Sequence, residues 1–213
     1  MAGKTDVVPL QVLDHPLASH LLARLRDRET PPQRFRQHSK SITALLVLQA
    51  TTGIPTVEDE VETPIKRTKC RLLAQPLAVV PVLRAGLGML EPVVELFPDV
   101  AVGYIGLERH EDTAIARSYY SKLPPLEGHF TLCVDPMLAT GGSAVQAISL
   151  IKAHGAERVV MVSVVATPQG VDRLQSVHPD VLIVTAALDE GLNERKYIVP
   201  GLGDYGDRLY GTR

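Results

Sequence analysis

The chain has 213 residues, 45% hydrophobic and 22% charged, values that are typical of a folded globular protein and that exclude extensive disorder. Its length fits a single domain, which is what we expect here. The 22 lysines and arginines nearly balance the 24 aspartates and glutamates, and the formal charge of -2 argues against a protein whose main partner is nucleic acid.

The two cysteines and the first residues of the chain exclude several classes of protein. Cys70 and Cys133 lack the spacing of metal ligands, and two cysteines are too few for a disulfide scaffold. So few cysteines favour a reducing compartment. Cys133 lies in an apolar run, where we expect a buried, inert thiol. No apolar stretch approaches the roughly 18 residues of a membrane span, and residues 1–10 lack the apolar segment of a secretory signal. We therefore expect a cytoplasmic protein with no membrane partner and no nucleic-acid partner.

The first part of the chain, up to about residue 75, predicts helices and an arm. Apolar residues at helical spacing predict helices over residues 16–28 and 34–52, the first entered through His15. Residues 57–73 alternate poorly and contain Pro64. This pattern indicates a pair of short strands outside the main sheet, as an arm or flap.

From residue 76 onward, predicted strands and helices alternate. Apolar runs predict strands over residues 77–83, 100–105, 130–134, 158–166 and 181–187. Helical spacing predicts helices over residues 89–96, 143–154 and 170–177. Such alternation is typical of an α/β domain with a Rossmann-like parallel sheet and helices on both faces. We expect residues 76–190 to form this core and residues 191–213 to form a C-terminal elaboration.

The most informative segment follows the predicted strand over residues 130–134. Asp135 comes directly after the strand, and Thr140-Gly141-Gly142-Ser143 opens the next predicted helix. Ligands of open α/β sheets bind beyond the carboxyl ends of the strands, and free N–H groups at a helix N-terminus favour a phosphate. The same residues also suit a capped turn with tight packing. The residues alone leave both a phosphate cradle and a structural turn open.

Two nucleotide-binding fingerprints fail on their surroundings. Residues 201–206 satisfy G-x-G-x-x-G, but only seven residues follow Gly206, too few for the helix, strand and acidic residue of a dinucleotide-binding unit. The Thr140 loop lacks the lysine of a Walker A motif. We interpret residues 201–206 as a loop that presents its backbone.

Three segments resemble the uracil phosphoribosyltransferase family, a branch of the type I phosphoribosyltransferases. Residues 134–143 (Val-Asp-Pro-Met-Leu-Ala-Thr-Gly-Gly-Ser) are similar to the family's phosphoribosyl pyrophosphate (PRPP) loop, with Pro136 where the wider type I group carries a second acid. Residues 81–89 resemble the pyrophosphate-side loop, and residues 197–212 resemble the C-terminal run. The resemblance extends in order from about residue 15 to the C-terminus, and residues 106–112 and 119–123 also fit it.

The resemblance implies a fold and an activity. The implied fold is the type I phosphoribosyltransferase fold, with residues 191–213 forming a hood that binds uracil. The implied reaction joins uracil to PRPP, with Mg²⁺, to give UMP and diphosphate in pyrimidine salvage. A homodimer or homotetramer is implied, and GTP activates some relatives, which the sequence leaves open here. Two alternatives stay open: a nucleotide-sensing regulator with this fold, and a transferase for another nucleobase.

The resemblance also implies roles for individual residues. Four residues are expected in catalysis: Arg84 and Arg109 facing the diphosphate, Asp135 holding the ribose hydroxyls, and Asp204 facing PRPP or its metal. Taken alone, each arginine is typical of a surface salt bridge. Mg²⁺ is expected to ride on the substrate, with Asp204 as the one candidate ligand from the protein. The remaining PRPP contacts are expected from the loop residues Pro136, Met137, Leu138, Ala139, Thr140, Gly141, Gly142 and Ser143.

Uracil binding is expected to depend on the backbone of the hood. Uracil presents two N–H donors and two carbonyl acceptors in one plane, which a rigid loop can meet with its own C=O and N–H groups. The residues implied for this contact are Ile198, Gly203, Asp204 and Tyr205. Family members commonly have Ala at the position of Tyr205, so we expect the Tyr205 ring to point away from the base.

Overall fold

The computed structural model describes residues 10–109 and 116–212. Residues 1–9, which bear on the secretory signal, lie outside this part. So do residues 110–115, of which residues 110–112 belong to the resemblance at residues 106–112. The first half of the described chain contains β1 (Leu10–Val12), α1 (Pro16–Arg26), α2 (Pro32–Ala50), β2 (Thr56–Glu62), β3 (Arg67–Leu73), β4 (Leu77–Leu83), a 3-10 helix (Ala85–Met89), α3 (Leu90–Leu96), β5 (Ala101–Val102) and β6 (Tyr104–Arg109). The second half contains β7 (Ala116–Lys122), β8 (Phe130–Val134), β9 (Met137–Leu138), α4 (Gly142–Ala153), β10 (Arg158–Ala166), α5 (Pro168–Val177), β11 (Leu182–Leu188), β12 (Gly191–Leu192), β13 (Ile198–Val199) and α6 (Tyr205–Tyr210).

The central sheet of the described chain has nine strands and is mostly parallel. Its main path runs β1-β11-β10-β8-β4-β6-β7, with β5 paired to β4 and β9 paired to β10. Every pair is parallel except β6 with β7. The α/β prediction with a parallel sheet is therefore confirmed, and the carboxyl ends of β4, β8 and β10 meet at one edge.

The sheet separates two cores, one on each face. Successive residues of β4 point to opposite sides, so Val79 joins the core under α1, α2 and α3. Its neighbour Val80 joins the core under α4 and α5. Strands covered on both faces read as unbroken apolar runs, which explains why β4, β8 and β10 were predicted with their observed bounds.

The arm predicted over residues 57–73 is present as a hairpin. β2 and β3 pair in antiparallel register from Thr56 opposite Leu73 to Glu62 opposite Arg67, as a sheet of their own. Ile65, at the turn, is 90% exposed. No helix in residues 10–109 or 116–212 is long and apolar enough to cross a membrane.

Several elements differ from the prediction. The strand predicted over residues 100–105 is divided at Gly103 into β5 and β6, and β1 and β7 were not predicted. The interpretation of residues 201–206 as a loop is wrong at its end, because Tyr205 and Gly206 begin α6. The physical reason is a cap: Asp204 has extended backbone, and its carboxylate accepts the N–H of Asp207 at 2.9 Å.

The hood, residues 191–212 of the described chain, is fastened to the N-terminal helices by buried polar contacts. Asp189, just before the hood, has a side chain that is only 4% exposed. Arg26 of α1 donates to both of its carboxylate oxygens at 2.9 and 2.5 Å, and the N–H of Gly201 donates to it at 3.0 Å. Arg26 also donates to the carbonyl of Gly201 at 2.7 Å. One bidentate ion pair thus joins α1, β11 and the hood.

Arg208 of α6 makes a second set of contacts between the hood and the N-terminal helices. Its guanidinium donates to the carbonyls of Leu25 and Asp27 at the end of α1, and to the carbonyl of Leu202. It also lies 4.5 Å from the ring centroid of Phe35 on α2. Cations at a helix C-terminus satisfy its last carbonyls, so the end of α1 is completed by the hood.

We predict that Asp189→Asn lowers the free energy of unfolding by about 2–4 kcal/mol, because it leaves the Arg26 charge partly buried without its counter-ion. Urea denaturation measures the change. Asp180→Asn is the matched control, since Lys152 is as exposed as Arg26 but the Asp180 carboxylate is 58% exposed, and loss of this ion pair costs less than about 1 kcal/mol. Equal losses in the two variants would contradict the role given to Asp189.

Candidate active site

A cavity of about 350 Å³ opens where the carboxyl ends of β4 and β8 face the hood. Its walls come from three segments of the chain: the start of the 3-10 helix, the loop from β8 into α4, and the hood. The lining residues are Ala85, Asp135, Met137, Leu138, Ala139, Thr140, Gly141, Ser143, Ala144, Arg195, Lys196, Tyr197, Ile198, Gly203, Asp204, Tyr205 and Gly206. The cavity therefore lies where ligands bind in open α/β sheets.

The N-terminus of α4 forms one end of this cavity. The residue that precedes the helix is Gly141, which has no side chain to cap it, and the first backbone hydrogen bond of the helix runs from Val145 to Gly141 at 2.9 Å. The N–H groups before Val145 therefore have no partner within the helix, and Gly141, Ser143 and Ala144 line the cavity. Such donors, with the positive end of the helix dipole, favour an anion.

The two adjacent glycines of this turn have different surroundings. Gly141 has φ +76°, and a Cβ there would lie 2.7 Å from the carbonyl oxygen of Gly170, so both conformation and packing require glycine. At Gly142 a Cβ would meet only the hydroxyl of Thr140, at 3.8 Å. Gly141 therefore serves the tight turn, whereas Gly142 leaves open space beside the helix N-terminus.

Asp135 begins the loop that leads into this turn. Its carboxylate accepts the N–H of Met137 at 3.4 Å, and its own N–H donates to the carbonyl of Val162 at 3.1 Å. Thr167, which caps α5, donates to the carbonyl of Ala139 at 2.6 Å.

Burial, and to a smaller degree the Asp135 charge, raises the pKa of the Cys133 thiol. Cys133 is thus the buried, inert thiol expected, and the loop is held at both ends.

The hood forms the opposite end of the cavity. Gly203 has φ +82°, a conformation that side chains rarely adopt, and Ile198 is buried in β13. Tyr205 is only 1% exposed as a whole residue, and its ring centroid lies 5.1 Å from that of Phe35 in an edge-on arrangement. Its hydroxyl is hydrogen-bonded to the hydroxyl of Ser39, and burial raises the pKa of Tyr205. The ring thus points into the core, which leaves the backbone of this lining residue to face the cavity.

Some of the expected site residues do not line the cavity. Arg84 follows β4 and precedes the lining residue Ala85; its side chain is 64% exposed and lies 3.9 Å from the carboxylate of Asp207. Pro136 and Gly142 belong to the loop but are not among the lining residues. Arg109 ends β6, and its side chain lies outside what the structure describes.

Six lining residues were not among the expected site residues, and three of them, Arg195, Lys196 and Tyr197, lie together in one segment. They form the connection between β12 and β13, where the side-chain oxygen of Asn193 accepts the N–H groups of Arg195 and Tyr197 at 3.0 and 2.9 Å. Lys196 has a positive φ of 64°. The only sign of them in the sequence is the basic pair Arg195-Lys196 shortly before β13. In the structure this pair brings two positive charges to the cavity wall.

The carboxylates suit a substrate-borne magnesium ion better than a site built by the protein alone. Among the described residues no group of three or more histidine, cysteine, aspartate or glutamate side chains could hold a metal ion. Asp135 and Asp204 nevertheless place carboxylates on opposite walls of one cavity. Mg²⁺ prefers oxygen ligands and commonly uses one or two carboxylates together with substrate phosphates. The residues present fit that arrangement.

Comparison with known proteins gives a consistent result over almost the whole chain. The sequence model of the family described as "Uracil phosphoribosyltransferase" matches residues 12–212. The uracil phosphoribosyltransferase of Symbiobacterium thermophilum is 50% identical over 204 residues, 95% of this chain and 98% of the relative. That of Acholeplasma laidlawii is 52% identical over 206 residues, 96% of this chain and 99% of the relative.

A solved structure matches over the same extent of the chain. A protein from Aquifex aeolicus matches with a TM-score of 0.90 at 38% identity, over 94% of this chain and 97% of that chain. Sequence and structure therefore agree in extent, and neither leaves a large segment unmatched. The chain belongs to the uracil phosphoribosyltransferase family.

Proposed function

We propose that this chain transfers the 5-phosphoribosyl group of PRPP to uracil, giving UMP and diphosphate, the reaction after which its relatives are named. One observation carries the proposal. A single cavity joins the N-terminus of α4, which suits a phosphate, to a hood whose backbone suits a planar base. A nucleoside monophosphate has both groups, one at each end.

The 5′-phosphate is proposed to bind at the α4 end. There the N–H groups of Gly142 and Ser143 and the hydroxyls of Thr140 and Ser143 supply donors to phosphate oxygens, and the helix dipole adds a favourable potential. The open space at Gly142 supports this placement. Because PRPP and UMP share the 5′-phosphate, both are expected to use this end.

The ribose is proposed to lie against Asp135. Bond breaking at the anomeric carbon produces an oxocarbenium-like state, as in glycoside cleavage, and a carboxylate near the ribose favours its positive charge. The new bond joins a uracil nitrogen to this carbon as the bond to diphosphate breaks, and the nitrogen's proton leaves to water or to the departing diphosphate. Holding the reactants in line is the larger part of such catalysis.

The leaving diphosphate is proposed to meet positive charge from several sides. The Arg84 guanidinium is exposed, and its contact with the exposed carboxylate of Asp207 is long, at 3.9 Å, so it can reorient toward phosphate oxygens. Arg109 is proposed to act with it, and Arg195 and Lys196 add charge from the hood. Mg²⁺, when bound with PRPP, would neutralise part of the charge on the leaving group, with Asp204 and Asp135 as the protein groups that would hold it.

Uracil is proposed to bind to backbone groups between Ile198 and Tyr205. The positive φ of Gly203 turns the chain at the cavity wall, and the N–H of Tyr205 belongs to the first turn of α6. Since the Tyr205 ring is directed into the core, a tyrosine at this position leaves the base-binding surface to the backbone.

Three further features are proposed from family membership. The chain is proposed to form a homodimer or homotetramer, and the arm, with Ile65 and Leu73 exposed, offers an apolar surface for such contacts. GTP is proposed as an activator, and the cytoplasm as the compartment. Neither a nucleotide-sensing role without catalysis nor another nucleobase is favoured by any feature of the described cavity.

We predict that the purified protein, with Mg²⁺ and PRPP, forms a nucleotide from uracil and not from cytosine, hypoxanthine or guanine. Chromatography of the products measures each rate. Product from a purine base would identify a transferase for another nucleobase. Tight UMP binding without any turnover would identify a regulator instead of an enzyme.

We predict that Gly142→Val weakens the binding of both UMP and PRPP by tenfold or more, because a branched side chain fills the space beside the phosphate donors. Isothermal calorimetry measures both affinities. Ala153→Val is the control, since it adds a branched residue at the exposed end of the same helix. Unchanged UMP affinity in the Gly142 variant would show that the phosphate binds elsewhere.

A further inference from the structure

We propose that the buried hydroxyl pair of Tyr205 and Ser39 positions the uracil-binding end of the cavity. The inference rests on the proposed function and adds to it a pair of positioning side chains, neither of which touches the substrate. Tyr205 is the first residue of α6, and Ser39 lies in the middle of α2. The two residues are 166 positions apart in the chain.

Tyr205 connects two environments. It is among the residues that line the cavity, beside Gly203 and Asp204, although the residue as a whole is only 1% exposed. Because its ring packs on Phe35 and its hydroxyl on Ser39, its backbone is the part left to face the cavity. Ser39 is fully buried and does not line the cavity. The hydrogen bond between the two hydroxyls therefore acts on the cavity only through the backbone of Tyr205.

The start of α6 is held against α2 by the hydroxyl pair, whereas two other contacts between these helices lie farther along α6. Arg208 lies over the ring of Phe35, and Arg36 donates to the carbonyl of Leu209 at 2.9 Å, three and four residues beyond Tyr205. At the first turn, α6 contacts α2 through the edge-on packing of Tyr205 with Phe35 and through the hydroxyl pair. Ring packing tolerates sliding along the ring edge, whereas a hydrogen bond fixes a distance and a direction.

Position matters here because the first turn of α6 and the residues before it face the base. A planar base that is recognised by backbone groups needs its donors and acceptors in place, and misplacement by about 1 Å can cost 10²-fold in rate. A shift of Tyr205 along α2 moves Asp204 and Gly203 with it. The phosphate end, built by α4 on the other side of the cavity, is unaffected by such a shift.

The test uses Tyr205→Phe, Ser39→Ala and the double variant, with the KM for uracil, the KM for PRPP, kcat and urea stability measured for each. We expect both single variants to raise the KM for uracil about five- to tenfold, the scale of one net hydrogen bond. The KM for PRPP is expected to change less than about twofold. The single changes are small or isosteric, so the variants are expected to fold.

The double variant separates positioning from stability. Each single variant leaves one hydroxyl buried without its partner, which lowers stability, whereas the double variant leaves none. We expect the double variant to recover part of the stability and to keep the raised KM for uracil. Thr185→Val is the matched control, because it removes a buried hydroxyl, bonded to the carbonyls of Val164 and Ala187, from a strand outside the cavity.

The outcomes distinguish this inference from the proposed function. A KM for uracil that is unchanged in the single variants, or restored in the double variant, or raised equally by Thr185→Val, overturns the positioning role while wild-type turnover of uracil stands. Wild-type protein that forms no UMP overturns the proposed function and this inference with it.

Discussion

The cavity depends on the hydrogen bonds and ion pair made by the buried carboxylate of Asp189. It comes at the end of a core strand, yet its partners are Arg26 on the first helix and the backbone of Gly201 in the hood. A carboxylate removed from water is costly unless it is paired and fully hydrogen-bonded. The Arg26 guanidinium and the Gly201 N–H donate to the Asp189 carboxylate. These bonds fix the hood over the edge of the sheet.

Charge inside the cavity is arranged in a way that the overall balance of -2 conceals. The α4 N-terminus, Arg195 and Lys196 present positive potential, which suits phosphate groups. Asp135 and Asp204 present carboxylates between them, which suits a ribose that develops positive charge and a metal carried by the substrate. Both signs are needed for a reaction that separates an anionic leaving group from a cationic sugar.

Much of the fold could be predicted because burial on both faces leaves a local signal. The runs at β4, β8 and β10 are continuous and apolar, and their bounds agree with the structure. Short elements gave no such signal: β1 has three residues, and α6 has six and begins inside a glycine-rich segment. The carboxylate of Asp204 was expected to face PRPP or its metal, and its role as the cap that starts α6 was not predicted.

The parts of the candidate site that lie in one continuous segment could be predicted from the sequence. The parts that depend on two residues far apart in the chain could not. The loop from Asp135 to Ser143 is contiguous, and most of it lines the cavity. Arg26 with Asp189, and Ser39 with Tyr205, are joined across 163 and 166 positions, and no local pattern announces either pair. Arg195 and Lys196 were missed because a basic pair in a short connection is indistinguishable from a solvated surface until the hood is folded.

A structure determined with UMP bound tests the central claim most directly, because it locates both ends of the product at once. We expect phosphate oxygens within hydrogen-bond distance of the Gly142 and Ser143 N–H groups, and the uracil ring against the backbone between Ile198 and Tyr205. A nucleotide bound in the reverse direction, or outside the cavity between α4 and the hood, would contradict the account.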